Sequence, residues 1–386
     1  MSSRRRVVSL LVFTVLAILA SSVGCLEPVD HVRSRDTGLR RDAGSPNDAG
    51  PAGDGSCPAC LPACPPTCDA DAGCPWTATP VGHSACDLRG ISLTTRNDVG
   101  AQAALVAASY CACDLAMVAL VASGPPLAWS EAEVAATGCS RTSLSIGPTG
   151  ARTLLLTDPT GGLRLLESTR SGAWVTDQLR EIRAPAALAL DEDGNPHIAG
   201  LGQGAIVLAS RVGKRWVLEG VATAPSLVAA APVLIALGPD GQPRVAFSEG
   251  EVKLATKTAS GWEVSTAPGN GVPVSLVVDA GGRAHLLYLA GGLRYGVMTA
   301  SGWVSEPIEP KATAGSLALG PGGCPRAAWT SEGRVWFGER TESGWTAEHL
   351  ADGTFGVAES SLALLPDGRP LILPFGGGGQ LSLYSR

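Results

Sequence analysis

The side chains best placed by spacing to do chemistry are thiols. The stretch "CPACLPACPPTC" sets out Cys57, Cys60, Cys64 and Cys68 within twelve residues, and four thiolates so close together could enclose a tetrahedral zinc ion. The spacing is x2, x3, x3, without the two CxxC pairs held apart by a long loop that structural zinc sites usually show. Cys74, Cys86, Cys111, Cys113, Cys139 and Cys324 bring the number to ten besides Cys25. An even set in an exported chain reads first as disulfides. All ten are disulfide candidates, zinc is the alternative for the first four, and no metal site is assigned. The pairing is not readable from the sequence.

Groups suited to acid–base or nucleophilic catalysis are sparse. There are five histidines, His31, His83, His197, His285 and His349, and no HExxH. His197 and His285 fall at equivalent points of the repeat described below, where other copies carry Arg244, Arg326 and Leu371. A position that accepts such different residues is expected on a blade surface rather than around a ligand. "GHSAC", residues 82–86, approaches the G-x-S-x-G nucleophile elbow but ends in cysteine, and an elbow needs a strand–turn–helix setting that this chain, without helical periodicity, does not offer. "DEDGN" spaces Asp191, Asp193 and Asn195 like calcium ligands. It lacks the glycine and glutamate of a calcium loop and reads as a turn closed by Asx hydrogen bonds. No catalytic residue and no cofactor is assigned.

The N-terminal residues address the protein rather than fold it. Arg4, Arg5 and Arg6 precede "VVSLLVFTVLAILA", an apolar run of signal-peptide length and too short to span a bilayer comfortably. "SSVGC" follows, ending in Cys25. This resembles the lipobox of bacterial lipoproteins, with Ser22 where leucine is usual, and the resemblance implies lipid modification of Cys25 after removal of residues 1–24. Leu26 lacks the aspartate that marks inner-membrane retention, which implies the outer membrane. Loss of three arginines and no acids takes the formal charge from −6 to −9. An acidic mature chain argues against nucleic acid as partner, because phosphate binding needs a basic surface. Residues 25–73 repeat "DAG" among prolines and hold too few large apolar residues to build a core; they are expected to be a disordered tether.

Residues 74–386 have a different texture. Short aliphatic runs alternate with glycine punctuation, and the pattern repeats. "DEDGNPHIAG", "GPDGQPRVAF", "DAGGRAHLLY", "GPGGCPRAAW" and "LPDGRPLILP" align on Gly194, Gly241, Gly282, Gly323 and Gly368; Gly150 fits the frame and Gly100 fits loosely. A tryptophan follows each of the earlier turns: Trp129, Trp174, Trp216, Trp262, Trp303 and Trp345, at 21–24 residues except for the first, at 29. Each unit reads as four strands, A to D, with the glycine in the A–B turn and the tryptophan opening strand D. Four short strands in 41–50 residues is the period of a propeller blade. The last unit stops 18 residues after Gly368, before any strand D, while Trp76 stands in phase 24 residues ahead of Gly100. The fold class is therefore all-β: a seven-bladed β-propeller of four-stranded blades, its ring closed by an N-terminal strand that completes the last blade.

The glycine turn followed by "SGW" is similar to β-propeller repeats in exported lipoproteins of delta-proteobacteria such as myxobacteria. That resemblance implies architecture and a cell-envelope location, not mechanism. The tryptophans are expected to pack between blades, with lectin-like ligand pockets as the alternative. The leading function is a binding scaffold for protein or glycan, lipid-anchored and monomeric. The rivals are an envelope lyase or glycoside hydrolase, with acids in the central channel, and a purely structural envelope component. Clustered carboxylates of raised pKa at a channel mouth would favour the enzyme, and a channel lined by Ala, Leu and Ser would favour binding or structure.

Overall fold

The computed structural model describes residues 75–83, 89–96, 105–111, 117–123, 128–135, 139–169, 171–223, 231–352, 355–356, 361–376 and 380–386. The signal segment, Cys25, the tether, Cys57, Cys60, Cys64, Cys68, Cys74, Cys86, Cys113 and Gly100 lie outside the described residues.

The fold is an all-β propeller. Its helical content among the described residues is one 3-10 turn, Pro321–Gly323. Six four-stranded blades are each built from one continuous stretch, spanning residues 89–135, 141–179, 183–223, 234–270, 272–309 and 312–351, numbered 1 to 6 here. Within each, consecutive strands pair antiparallel from the inner strand A to the outer strand D. In blade 6 strand D is broken into Gly344–Trp345 and Glu348–Ala351. Where the repeat predicts seven like blades, six are made this way. The remaining sheet is composite: Leu362–Leu364, Pro370–Ile372 and Gln380–Ser385 come from the end of the chain, and Thr77–His83 comes from its front and pairs antiparallel with Gln380–Ser385. The inner strand Leu362–Leu364 lies against the inner strands of blades 6 and 1.

The A–B turns form because glycine accepts a left-handed backbone at no steric cost. Gly150, Gly194, Gly241, Gly282, Gly323 and Gly368 all have φ between 69° and 88°. Burial follows from the radial packing. The B strands are near-continuous buried runs between neighbouring blades, the A and C strands alternate buried with partly exposed residues, and strand D faces solvent along its free edge. Seven apolar clusters between packed sheets make up the core. Serines of the inner strands tie successive sheets together: the backbone N–H groups of Leu144, Leu317 and Leu362 donate to the hydroxyls of Ser92, Ser275 and Ser316, each at 3.0 Å.

Candidate functional site

Each framed tryptophan sits at a different junction. Trp129, Trp174, Trp216, Trp262, Trp303, Trp345 and Trp76 each pack against one of the seven clusters. Three of the indoles donate to the residue three places beyond the tryptophan of the preceding blade. Trp216 Nε1 donates to Asp177 at 2.8 Å, Trp303 to Ser265 at 3.2 Å and Trp345 to Glu306 at 2.7 Å. A polar clamp often sits beside them: Arg211 pairs with Glu167, Lys257 with Glu219 and Arg340 with Glu306, each crossing from one blade to the one before. At the composite sheet Arg386 lies over Trp76 and Phe337, 5.0 and 5.1 Å from their ring centroids, and pairs with Glu348 at 2.6 Å.

The expectation of a surface position for His197, His285, Arg244, Arg326 and Leu371 is corrected. Arg244, His285, Arg326 and Leu371 are buried, because the second residue of strand B lies beneath the A–B turn. These side chains hold that turn, or the next one. His197 bridges Ser210 and Asp191, and His285 bridges the Tyr295 hydroxyl (2.6 Å) and Asp279 (3.1 Å). Arg244 binds Asp240 and reaches the Gly282 carbonyl, while Arg326 donates to the Gly368 carbonyl. Burial raises the Asp279 carboxyl, but hydrogen bonds from Arg283 and His285 outweigh it and leave the pKa lowered. Burial likewise depresses His285, beyond what Asp279 restores, and pushes the Tyr295 phenol well up. With His285 fully buried the relay is a brace for the turn. Asp191 also closes its own turn, accepting from the Asn195 N–H at 2.7 Å.

Cys111 and Cys139 form a disulfide that fastens strand B of blade 1 to the residues entering blade 2. Cys324 is buried at the start of strand B of blade 6. Among the described residues no group of histidines, cysteines and acids is arranged to hold a metal ion.

The channel wall is built from the inner strands. One cavity, about 600 Å³, is lined by Leu93, Thr94, Thr95, Leu317, Ala318, Leu362 and neighbouring aliphatic and small residues, with no ionisable side chain among the described residues of the lining. A second cavity, of about 180 Å³, has Ser92, Ser143, Ala187 and Leu234 in its wall. Of the two linings weighed from sequence, this is the one that favours binding or structure.

The polar and aromatic groups that could recognise a ligand gather instead at the junction of blades 2 and 3. A cavity of about 320 Å³ opens there between Leu179, Ile182, Ala209, Trp216 and Leu218, with Gln178, Arg180 and Glu181 at its rim. The last three are exposed, and Leu179, Ile182 and Ala209 form a buried floor. The cavity has a sequence cause. Six residues after the turn glycine, blades 4, 5 and 6 carry Phe247, Tyr288 and Trp329, whereas blade 3 carries Gly200. A Cβ at Gly200 would meet Ile182 at 2.5 Å, so the loop entering blade 3 packs into the space a ring occupies elsewhere, and the wedge beyond it stays open. The missing ring was visible in the repeat frame; that it leaves a pocket depends on the loop 180–182.

Three solved structures share this build. The BP39L lectin from Burkholderia pseudomallei aligns with a TM-score of 0.53 at 14% identity, over 76% of this chain and 98% of that one. The fold is a β-propeller. The WD40 β-propeller domain of Doa1 aligns at 0.52 and 12% identity, over 81% and 97%. AofleA from Arthrobotrys oligospora aligns at 0.50 and 13%, over 74% and 93%. At such identities the likeness is one of fold, and a lectin and a WD40 domain standing together illustrate how many roles one propeller can host. No protein-family model matches the chain, and no curated protein matches it.

Proposed function

We propose that this chain is a lipoprotein of the bacterial cell envelope whose propeller binds glycan in the wedge between blades 2 and 3. The observation that carries the reading is that wedge. An indole and an aliphatic floor can cover the C–H face of a sugar ring, while an amide, a guanidinium and a carboxylate stand around it for the hydroxyls. Its volume falls at the small end of ligand pockets, about 300–1,000 Å³, which suits one sugar residue. A propeller lectin among the structural neighbours supports the same reading. The reading includes a ring of seven blades, supported by the pairing of Thr77–His83 with Gln380–Ser385 and by the seat of Leu362–Leu364 between blades 6 and 1.

A glycan array probed with the full chain in detergent tests the site. Retained glycans are expected, and the signal is expected to fall to background in Arg180→Ala and Gln178→Ala. No enrichment by the native chain, or enrichment indifferent to both changes, would sink the assignment. Anchoring is tested separately: Cys25→Ala should move the protein from the membrane fraction to the soluble one.

A further inference from the structure

The outer strand of blade 3, Arg215–Thr223, ends its sheet and has no strand on its far side among the described residues. An exposed apolar edge of this kind is a template for pairing, and proteins usually block it with proline or charge. Three of the other outer strands are blocked by proline. Pro268 interrupts blade 4, Pro307 blade 5 and Pro80 the composite sheet. Blade 3 has no proline there and exposes Val217 and Leu218, at 52% and 39%.

The sequence of that edge is complementary to itself. Around Val217 it reads Arg215, Trp216, Val217, Leu218, Glu219: cation, three apolar residues, acid. Two copies run antiparallel with Val217 facing Val217 would set each Arg215 opposite Glu219 of the other copy, twice, and each Trp216 opposite Leu218. The backbone phase agrees. A two-residue turn at Gly213 makes Val212 and Arg215 a hydrogen-bonded pair, so by alternation the N–H and C=O groups of Trp216 and Leu218 point to the free edge. In this register those two residues exchange backbone hydrogen bonds across the axis. Val217 and the Arg215–Glu219 pairs then occupy the non-hydrogen-bonded sites, where side chains approach most closely. Lys257 holds one oxygen of Glu219 and leaves the other available. The corresponding centre in blade 4 is Glu263, which would face its own copy with like charge. In blade 2 it is Val175, flanked by Ala173 and Asp177, with no opposite charges to pair.

We propose that a second copy of this chain docks along the outer edge of blade 3, pairing residues 215–219 antiparallel about a two-fold axis at Val217. The sequence alone suggested a monomer; this edge argues for an isologous dimer. The inference does not depend on glycan binding. Its test is oxidative cross-linking of the full chain carrying Val217→Cys, with Val264→Cys, a valine of similar exposure (48%) on blade 4, as control. Val217→Cys is expected to give about tenfold more reducible dimer than the control, since only it lies on the axis. Arg215→Glu and Glu219→Arg, each placed in the Val217→Cys background, should each lower that yield by setting like charges opposite one another. Co-expression of the two, differently tagged, should restore it as a mixed dimer in which both ion pairs are re-formed. Equal cross-linking at the two positions, no cross-linking at Val217→Cys, or no recovery in the mixed pair each overturns the proposal.

Discussion

The junction between blades 2 and 3 and the junction between blades 5 and 6 use the same parts and close to different degrees. In both, a framed indole donates to an acid three residues beyond the previous tryptophan, Asp177 in one and Glu306 in the other. At the second junction Arg340 grips the same Glu306 through Nε at 2.8 Å, Tyr295 meets Trp345 edge-on at 5.5 Å, and Trp329 fills the interior. At the first, the acid is exposed, the ring position is Gly200, and about 320 Å³ stays open. The difference shows that the repeat specifies contacts at the rim, while the volume between these blades depends on Gly200 and on the loop 180–182 packed against it.

The largest expected effect breaks the sealed junction. Trp329→Ala removes a fully buried ring and should cost about 3–5 kcal/mol, read from denaturant midpoints. A loss below about 1 kcal/mol would mean that the ring is not what fills the junction. Next comes the clamp. Glu306→Ala removes the carboxylate that a mostly buried guanidinium and an indole share and should cost about 3 kcal/mol, whereas Asp177→Ala, at the exposed counterpart, should cost about 0.5 kcal/mol. Similar losses at the two sites would erase the contrast.

A third prediction concerns pH. His285 is held below its ordinary value of 6.5 by burial. The unfolded chain therefore takes up this proton first, and the stabilisation, complete above pH 6.5, is lost as the pH falls toward the folded value. Asp279, lowered from 3.8, adds its own loss only below that pH. Unfolding midpoints should thus drop between pH 7.5 and 5, and His285→Gln should flatten the slope in that interval. Ala209→Leu adds methylenes to the floor of the open wedge and should cost about 1–3 kcal/mol in stability, read from denaturant midpoints. The same change should abolish glycan retention, and retention unchanged would move the site elsewhere.

Much of this architecture could be read from the residues, because turns and strand starts are local events. A left-handed backbone demands glycine wherever it recurs, and so Gly150 to Gly368 announce themselves. An indole at fixed spacing marks each wedge for the same reason. His285 and Arg326 were misread because their burial is decided by the turn folded over them and by the adjoining blade, and variation in residue type looks the same on a surface as in a socket that His, Arg and Leu can each fill. The pocket was half legible: Gly200 is the smallest residue at a position that holds a ring in the next three blades, but its consequence depends on how the loop 180–182 settles.

The composite sheet also joins the two ends of the described chain. The outermost strand of that sheet begins at Thr77, which faces Ser385 beside Arg386. The front of the chain thus contributes a whole outer strand to a sheet whose other strands come from its end, so cutting between Pro75 and His83 would remove the sheet's outermost strand while leaving the three strands from the end of the chain in place. The cation stacked on Trp76 and tied to Glu348 stands ahead of the first pair. It ties the first residues of the front strand to blade 6 through side chains as well as through the ladder.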